Sequence, residues 1–172
     1  MKLGVIADSH GRTDLVRQAL NLLKQAGADA VVHCGDVGGL DVLEELAGWQ
    51  AWFVWGNTDF PRPSWRPQIE AMRLPWPDGQ LEITLAGKRI GVFHGHEYAW
   101  QRAMTAAELD YLLHGHTHQA DDYRMGDMRV INPGALHRAR FKSVALLNLE
   151  SDTLEFIPID DPLACDAPDD GY

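Results

Sequence analysis

Five times along this chain a short apolar run stops at a polar cluster, and this alternation constrains the fold more than any other feature. The runs at 2–7, 29–33 and 51–55 end at Asp8-Ser9-His10-Gly11, Gly35-Asp36 and Gly56-Asn57-Thr58-Asp59. Later runs end at His94-Gly95-His96 and at His114-Gly115-His116-Thr117-His118. Between the first three runs the apolar spacing turns helical. Leu15, Ala19, Leu22 and Leu23 mark a helix over 12–25 closed by Gly27, and Leu43, Leu46 and Ala47 mark a shorter one over 40–47. This βαβαβ opening predicts parallel strands with right-handed crossovers. In such sheets, sites assemble at the carboxyl ends of strands, where these polar clusters fall.

Beyond Gly56 the pattern changes. Residues 61–77 hold five prolines, which disfavours helix interior and central strand and predicts a long ordered loop or lid. Residues 80–93 read as a hairpin turning at Ala86-Gly87. A helix is expected over 99–108, then strands over 111–113, 122–125, 128–131, 143–149 and 153–159. An acidic, proline-containing tail over 161–172 is expected to lie loosely on a single domain formed by residues 1–160.

At 172 residues and 45% hydrophobic content, the chain can bury one substantial core. Residues 1–7 lack the features of a secretory leader, and no run approaches the roughly 20 apolar residues of a membrane span. With only Cys34 and Cys165, no disulfide framework is expected, and the expected compartment is a reducing cytoplasm. A pair between the two cysteines stays open. The net charge of -10 argues against duplex nucleic acid, whose binders neutralise phosphates with lysine and arginine. If some of the 25 acidic residues bind cations, the site itself becomes electropositive despite that charge.

Five of the eight histidines lie in the two His-Gly-His clusters. Imidazoles at alternate positions across small residues can offer neutral nitrogens to one metal-binding space. The plainer alternative is surface histidines or a core hydrogen bond. Cys34, beside Gly35-Asp36, is read as a buried structural thiol rather than a nucleophile.

The ordered blocks Asp8-x-His10, Gly35-Asp36, Gly56-Asn57-Thr58-Asp59, His94 and Gly115-His116-Thr117-His118 resemble those of the calcineurin-like metallophosphoesterases, from Asp8 to about Gly134. Asn132-Pro133-Gly134 is similar to a further block of that superfamily's small, single-domain bacterial and archaeal branch. The resemblance implies a four-layer α/β/β/α sandwich of two mixed sheets flanked by helices. It also implies two divalent metals, one on Asp8, His10, Asp36 and His118, the other on Asp36, Asn57, His94 and His116, with Asp36 bridging. His114 is expected to bind neither. A bridging carboxylate brings two cations to about 3.5–4 Å, where both contact one phosphate. Nitrogen and oxygen donors without thiolate place manganese first, leave iron, zinc and nickel open, and put calcium well behind.

The implied activity is hydrolysis of a small phosphodiester, a cyclic nucleotide among the candidates, by a metal-activated hydroxide attacking in line. Many members carry histidine where this chain has Thr58, and that histidine is thought to protonate the leaving oxygen. Threonine cannot do so near neutral pH, which predicts modest rates and good leaving groups. His96, Asp59 and His137 are the candidate replacements, each with an ordinary structural hydrogen bond as its alternative. Trp65, Trp76 and Trp100 either stack on a base or pack a lid or a contact between copies in a homo-oligomer. Arg138 and Arg140 either bind a phosphate or stay solvated. Two rival functions stand beside this one. A phosphomonoesterase would want the histidine missing at position 58. A non-catalytic interaction scaffold, such as a retromer subunit that shares this fold, would lack part of the metal-site histidine set.

Overall fold

The computed structural model describes residues 1–98, 102 and 108–161. Two five-stranded mixed sheets face each other. The first has strand order β10-β9-β1-β2-β3 and the second β4-β5-β6-β8-β7. In the first sheet β1 (Lys2–Ile6), β2 (Ala30–His33) and β3 (Gln50–Phe53) run parallel, joined by α1 (Thr13–Gln25) and α2 (Leu40–Leu46). Then β9 (Ser143–Asn148) and β10 (Thr153–Pro158) return antiparallel along the other edge. The expected βαβαβ opening is present, with boundaries displaced by one or two residues.

These strands read as continuous apolar runs because both of their faces are covered. Ile6, Val31, Phe53, Val144 and Leu146 point toward α1 and α2, while Leu3, Val5, Val32, Ala145 and Leu147 point toward the second sheet. Gly4 faces α1 so closely that a Cβ there would come 2.8 Å from a Leu23 methyl. A side chain at position 4 would therefore force the Leu23 side chain to shift.

The second sheet starts with the hairpin of β4 (Leu81–Leu85) and β5 (Lys88–Val92), whose Ala86 and Gly87 both adopt positive φ, as a two-residue turn of the primed type requires. Strands β6 (Tyr111–Leu113) and β8 (Met128–Pro133) extend it in parallel, and β7 (Ala120–Met125) closes it antiparallel to β8. Ile90, Val92, Tyr111, Leu113 and Ile131 fill the space between the sheets. Its outer face carries Phe93, Leu109, Leu112, Met128 and Val130. The helix expected over 99–108 falls almost wholly outside the described residues, as does Trp100; of the two positions described, Arg102 is helical and Glu108 is not.

The reading of 61–77 as a loop needs correction. A 3₁₀ turn at Pro63–Trp65 runs into α3 (Arg66–Ala71), and each has a proline in its first turn, where a missing N–H breaks no internal bond. Ile69 and Leu74 anchor this segment in the core. Trp65 and Trp76 pack against Trp55, with ring centroids 6.5 and 5.5 Å away. Both rings pack on the protein through tilted or edge contacts and stay half-buried. At the other end, Asp161 accepts hydrogen bonds from Arg12 and lies 3.3 Å from Lys142 Nζ, which ties the first residue of the expected tail to the body. Residues 162–172, including Cys165, lie outside the described region. Among the described residues no helix is long and apolar enough to cross a membrane.

Candidate metal centre

The loops following β1, β2, β3, β5 and β6 converge at one end of the two sheets. Asp8, His10, Asp36 and His118 each offer a donor atom, and the four atoms lie within 4.8 Å of one another. His10 Nε2 is 3.5 Å from Asp36 Oδ2 and 3.5 Å from His118 Nε2, which in turn is 3.3 Å from Asp8 Oδ1. Two donors on opposite sides of a cation at about 2.0–2.2 Å can be separated by at most roughly 4.4 Å, so a contraction of a few tenths of an ångström closes this set on a metal.

On the other side of Asp36, His94 Nε2 approaches Asn57 Oδ1 to 2.9 Å and Asp36 Oδ1 to 3.4 Å. The His116 ring is 5.1 Å from that of His94, centroid to centroid. His94 Nδ1 is 2.9 Å from the Cys34 carbonyl oxygen, which only accepts, so the neutral ring carries its proton there. Nε2 then presents a lone pair to two further acceptor oxygens. Three acceptors pointed at one space need a cation or an extra proton between them.

The same orientation recurs at the neighbouring ligands. His118 Nδ1 lies 3.2 Å from the Arg138 carbonyl oxygen and His10 Nδ1 3.4 Å from Thr58 Oγ1, leaving both Nε2 atoms toward the carboxylates. Such outer partners fix the ring and tautomer of a metal-ligating histidine. Thr58 thus stands against His10, and its amide donates to Asp36 Oδ1 at 2.9 Å. The His116 amide donates to Asp8, 3.1 Å from Oδ2.

Charge at the site follows from these contacts. Without a cation the extra proton sits on His94 Nε2, and although burial raises the Asp36 carboxyl, hydrogen bonds from that protonated ring and from the Thr58 amide together outweigh it and hold the group well below the usual carboxylate range. Burial lowers His94, yet its bonds to Asp36 and Cys34 leave it net raised. His118 is raised by its bond to Asp8, whereas burial lowers His10 and His116. Burial also pushes the Cys34 thiol well up, and its side chain is a free, inert part of the inter-sheet core.

The backbone is bent hard to achieve this convergence. Nine described non-glycine residues have positive φ, and five are proposed ligands: Asp8 (53°), His10 (44°), Asp36 (52°), His116 (70°) and His118 (58°). Each such residue costs on the order of 1 kcal/mol, a strain that concentrates at functional sites. The glycines beside them provide clearance. A Cβ on Gly35 would come 2.6 Å from His94 Nδ1, on Gly56 2.0 Å from Asp36 Oδ1, and on Gly115 2.7 Å from Asp8 Oδ2.

The candidate proton donors are placed differently. His137 faces His10 with ring centroids 5.7 Å apart, and burial, followed by the charges of His10, Arg12, Arg138 and Lys142, lowers its pKa. His96 is exposed, 5.3 Å from the His94 ring and 3.5 Å from Glu97. Asp59 instead accepts from the amides of Val37, Gly38 and Gly56, at 3.0, 2.8 and 2.8 Å, and so pins the β2 and β3 loops together. His114 is buried with Nδ1 3.1 Å from the Gly115 carbonyl oxygen, outside both donor groups.

One support, His33, escaped the sequence analysis, and a second, Asn132, was legible there only as part of a motif. His33, fully buried at the end of β2, bonds Ser9 Oγ through Nε2 (2.8 Å) and accepts from the Gly35 amide through Nδ1 (3.2 Å), while Ser9 donates to the Val37 carbonyl. Burial depresses its pKa to about 3, so it stays neutral and joins the Asp8 and Asp36 loops. A histidine ending an apolar strand beside Gly-Asp was the available signal. Asn132 donates to the Gly115 carbonyl and Thr117 Oγ1 and accepts from the Gly134 amide, which makes the Asn-Pro-Gly block a brace for the His116–His118 loop.

Known proteins share this architecture. A model of the calcineurin-like phosphoesterase superfamily domain matches residues 1–152. A phosphodiesterase of Methanocaldococcus jannaschii is 27% identical over 140 residues, covering 78% of this chain and 83% of its own length. Phosphodiesterase YfcE of Escherichia coli is 26% identical over 179 residues, covering 94% of each. The solved structure of an archaeal phosphodiesterase superposes with a TM-score of 0.83 at 23% identity, over 92% of this chain and 99% of that one, and carries the same fold.

Proposed function

This chain belongs to the calcineurin-like phosphoesterase superfamily, and from that premise we propose that it is a dinuclear, metal-dependent phosphodiesterase. The observation that carries this reading is the convergence of His94 Nε2, Asn57 Oδ1 and Asp36 Oδ1, three acceptors beside a second set of four donors that shares Asp36. Asp8, His10, Asp36 and His118 hold one cation, and Asp36, Asn57, His94 and His116 the other. Both relatives described above are named phosphodiesterases, which supports diesters as the substrate class.

Two divalent cations, manganese first and iron, zinc or nickel next, would supply charge stabilisation at the phosphoryl oxygens and a water acidic enough to attack phosphorus in line. The protein's own part is positional. Asp36 stays ionised between the two sets, and the Cys34 and Arg138 carbonyls hold the His94 and His118 rings with Nε2 inward. Thr58 orients His10 but supplies no proton, so the leaving oxygen must depart with little help or take a proton from His137 or His96. Of the two, His137 lies beside the first donor set and His96 beside the second. Small phosphodiesters with good leaving groups, a cyclic nucleotide among the candidates, are the preferred substrates, and a reducing cytoplasm is the proposed compartment. The scaffold alternative is disfavoured because every expected ligand position is filled.

The test is to purify the protein, measure its metal content, and assay bis-p-nitrophenyl phosphate against p-nitrophenyl phosphate with added manganese. Two metals per chain and a diester preference of about tenfold or more are expected. A protein that binds no metal and turns over neither ester is a scaffold.

A further inference from the structure

The connection between β8 and β9 carries three cations on an acidic chain, Arg138, Arg140 and Lys142, and Arg12, just before α1, shares Asp161 with Lys142. Two of them are spoken for. Arg12 is bound to Asp14 and Asp161, and Lys142 lies 3.3 Å from Asp161 and donates to the Ala139 carbonyl. Arg138 meets no carboxylate among the described residues, although its charge reaches both His10 and His137. Among the described residues Arg138 is thus an exposed guanidinium without a carboxylate partner, directly after His137, whose ring faces that of His10.

Its backbone marks it further. Arg138 has φ 53° and shares the left-handed conformation of the five strained ligands, although the resemblance assigns it no ligand role. The bend turns its carbonyl onto Nδ1 of His118, the nitrogen directed away from the donor cluster. The main chain of Arg138 therefore stands behind His118, one imidazole away from the donor cluster. Three residues on, Phe141 is 79% exposed, and the Arg140 guanidinium covers one face of its ring at 5.3 Å, leaving the ring otherwise open to solvent. A single exposed aromatic is ordinary, and Phe60 and Tyr98 are as open; Phe141 is set apart by its guanidinium backing and its place three residues from Arg138.

We propose that this loop is a second substrate subsite, in which the Arg138 guanidinium binds a phosphate other than the scissile one and Phe141 stacks on the base of a nucleotide. The planar fork of arginine suits the paired oxygens of a phosphate, and an aromatic ring backed by a guanidinium is a stacking platform for any base. The substrate class is then a nucleotidyl phosphodiester with at least one further phosphate. This rests on the phosphodiesterase reading and narrows it.

The test compares equilibrium binding of thymidine 3′,5′-bisphosphate and thymidine 5′-monophosphate to the manganese-loaded protein by calorimetry, alongside turnover of bis-p-nitrophenyl phosphate, which has no second phosphate. The wild-type protein is expected to bind the bisphosphate at least tenfold more tightly. Arg138→Ala reduces that ratio to within about twofold, Arg138→Lys restores part of it, and Phe141→Ala weakens both nucleotides roughly fivefold or more. Turnover of the aryl diester is followed in every variant to register any change at the metal centre, and loss of the ratio in Arg138→Ala is credited to the guanidinium only where Arg138→Lys, which keeps the charge and the carbonyl that His118 meets, restores part of it. Equal wild-type affinities for the two nucleotides, or a ratio unmoved by Arg138→Ala, overturn the subsite. Loss of the ratio in Arg138→Ala together with a wild-type protein inactive on the aryl diester would retain the subsite and overturn the phosphodiesterase reading.

Discussion

His94 Nδ1 meets the carbonyl oxygen of Cys34 at 2.9 Å, and that bond decides which nitrogen of His94 faces Asp36 and Asn57. The contact joins a loop of the second sheet to the end of a strand in the first. The proposed second metal position depends on the two sheets stacking in this register. Gly35, next to Cys34, lets the His94 ring lie against the backbone without obstruction.

Gly35→Ala is therefore expected to weaken metal binding. The added Cβ falls 2.6 Å from His94 Nδ1 at a backbone φ of 94°, and the ring must rotate away from the Cys34 carbonyl. Losing such an outer partner typically costs 10–100-fold in affinity or activity. Calorimetric titration with manganese should show one site weakened by at least about tenfold and the other largely retained.

Removing metal should destabilise the fold as well as stop turnover. Cations bind the native loops and have no assembled site in the unfolded chain, so at about 100 times the dissociation constant they add roughly 2.7 kcal/mol. A chelator is expected to lower the melting temperature and abolish phosphodiester hydrolysis, with manganese restoring both. A melting curve unchanged by chelation would argue that the site is empty in solution.

His33 makes the metal-free protein acid-sensitive in a predictable window. Its folded pKa is depressed to about 3 from an ordinary value of 6.5, so between these values the unfolded chain binds a proton that the folded one does not. Its contribution is complete above the ordinary value and is lost as pH falls toward the folded one, at up to about 1.4 kcal/mol per pH unit. Urea denaturation of the apoprotein across this range should show His33→Gln with a shallower dependence on pH than wild type, by close to one proton.

The leaving-group proton can be traced with two variants. His137→Ala and His96→Ala should each leave hydrolysis of a nitrophenyl diester nearly unchanged. Whichever residue supplies the proton should cost about 10²-fold or more on an alkyl diester, in line with general acid catalysis. If both variants retain full activity on the poor leaving group, neither histidine is the acid.

Trp65 offers a check on the role of the proline-rich segment. Its ring packs on Trp55, so Trp65→Ala should lower stability by about 2 kcal/mol while leaving KM for a nucleotide diester within about twofold. A large rise in KM at unchanged stability would return this segment to the substrate.

The local pattern already determined much of this protein. Strand runs, the helical spacing of 13–25 and the Ala86-Gly87 turn are short-range signals. The polar clusters were legible as site residues because strand ends in a parallel sheet share one edge. Proline position misled at 63–71, because a proline opens a helix as readily as it breaks one, and only the local backbone distinguishes the two. Long-range placement was decided by the tertiary structure alone. That Asp59 clamps the β2 and β3 loops through three backbone amides was visible only in the fold. His33, a histidine in an apolar run, became a neutral strut only when Ser9 and Gly35 came to meet it across 24 and 2 residues of sequence. Arg138 acquired significance only once its neighbours' charges were seen to be paired. Hydrogen bonds and ion pairs between distant segments leave no periodicity in a sequence, so the residue types could be read from the chain while their partners depended on the fold.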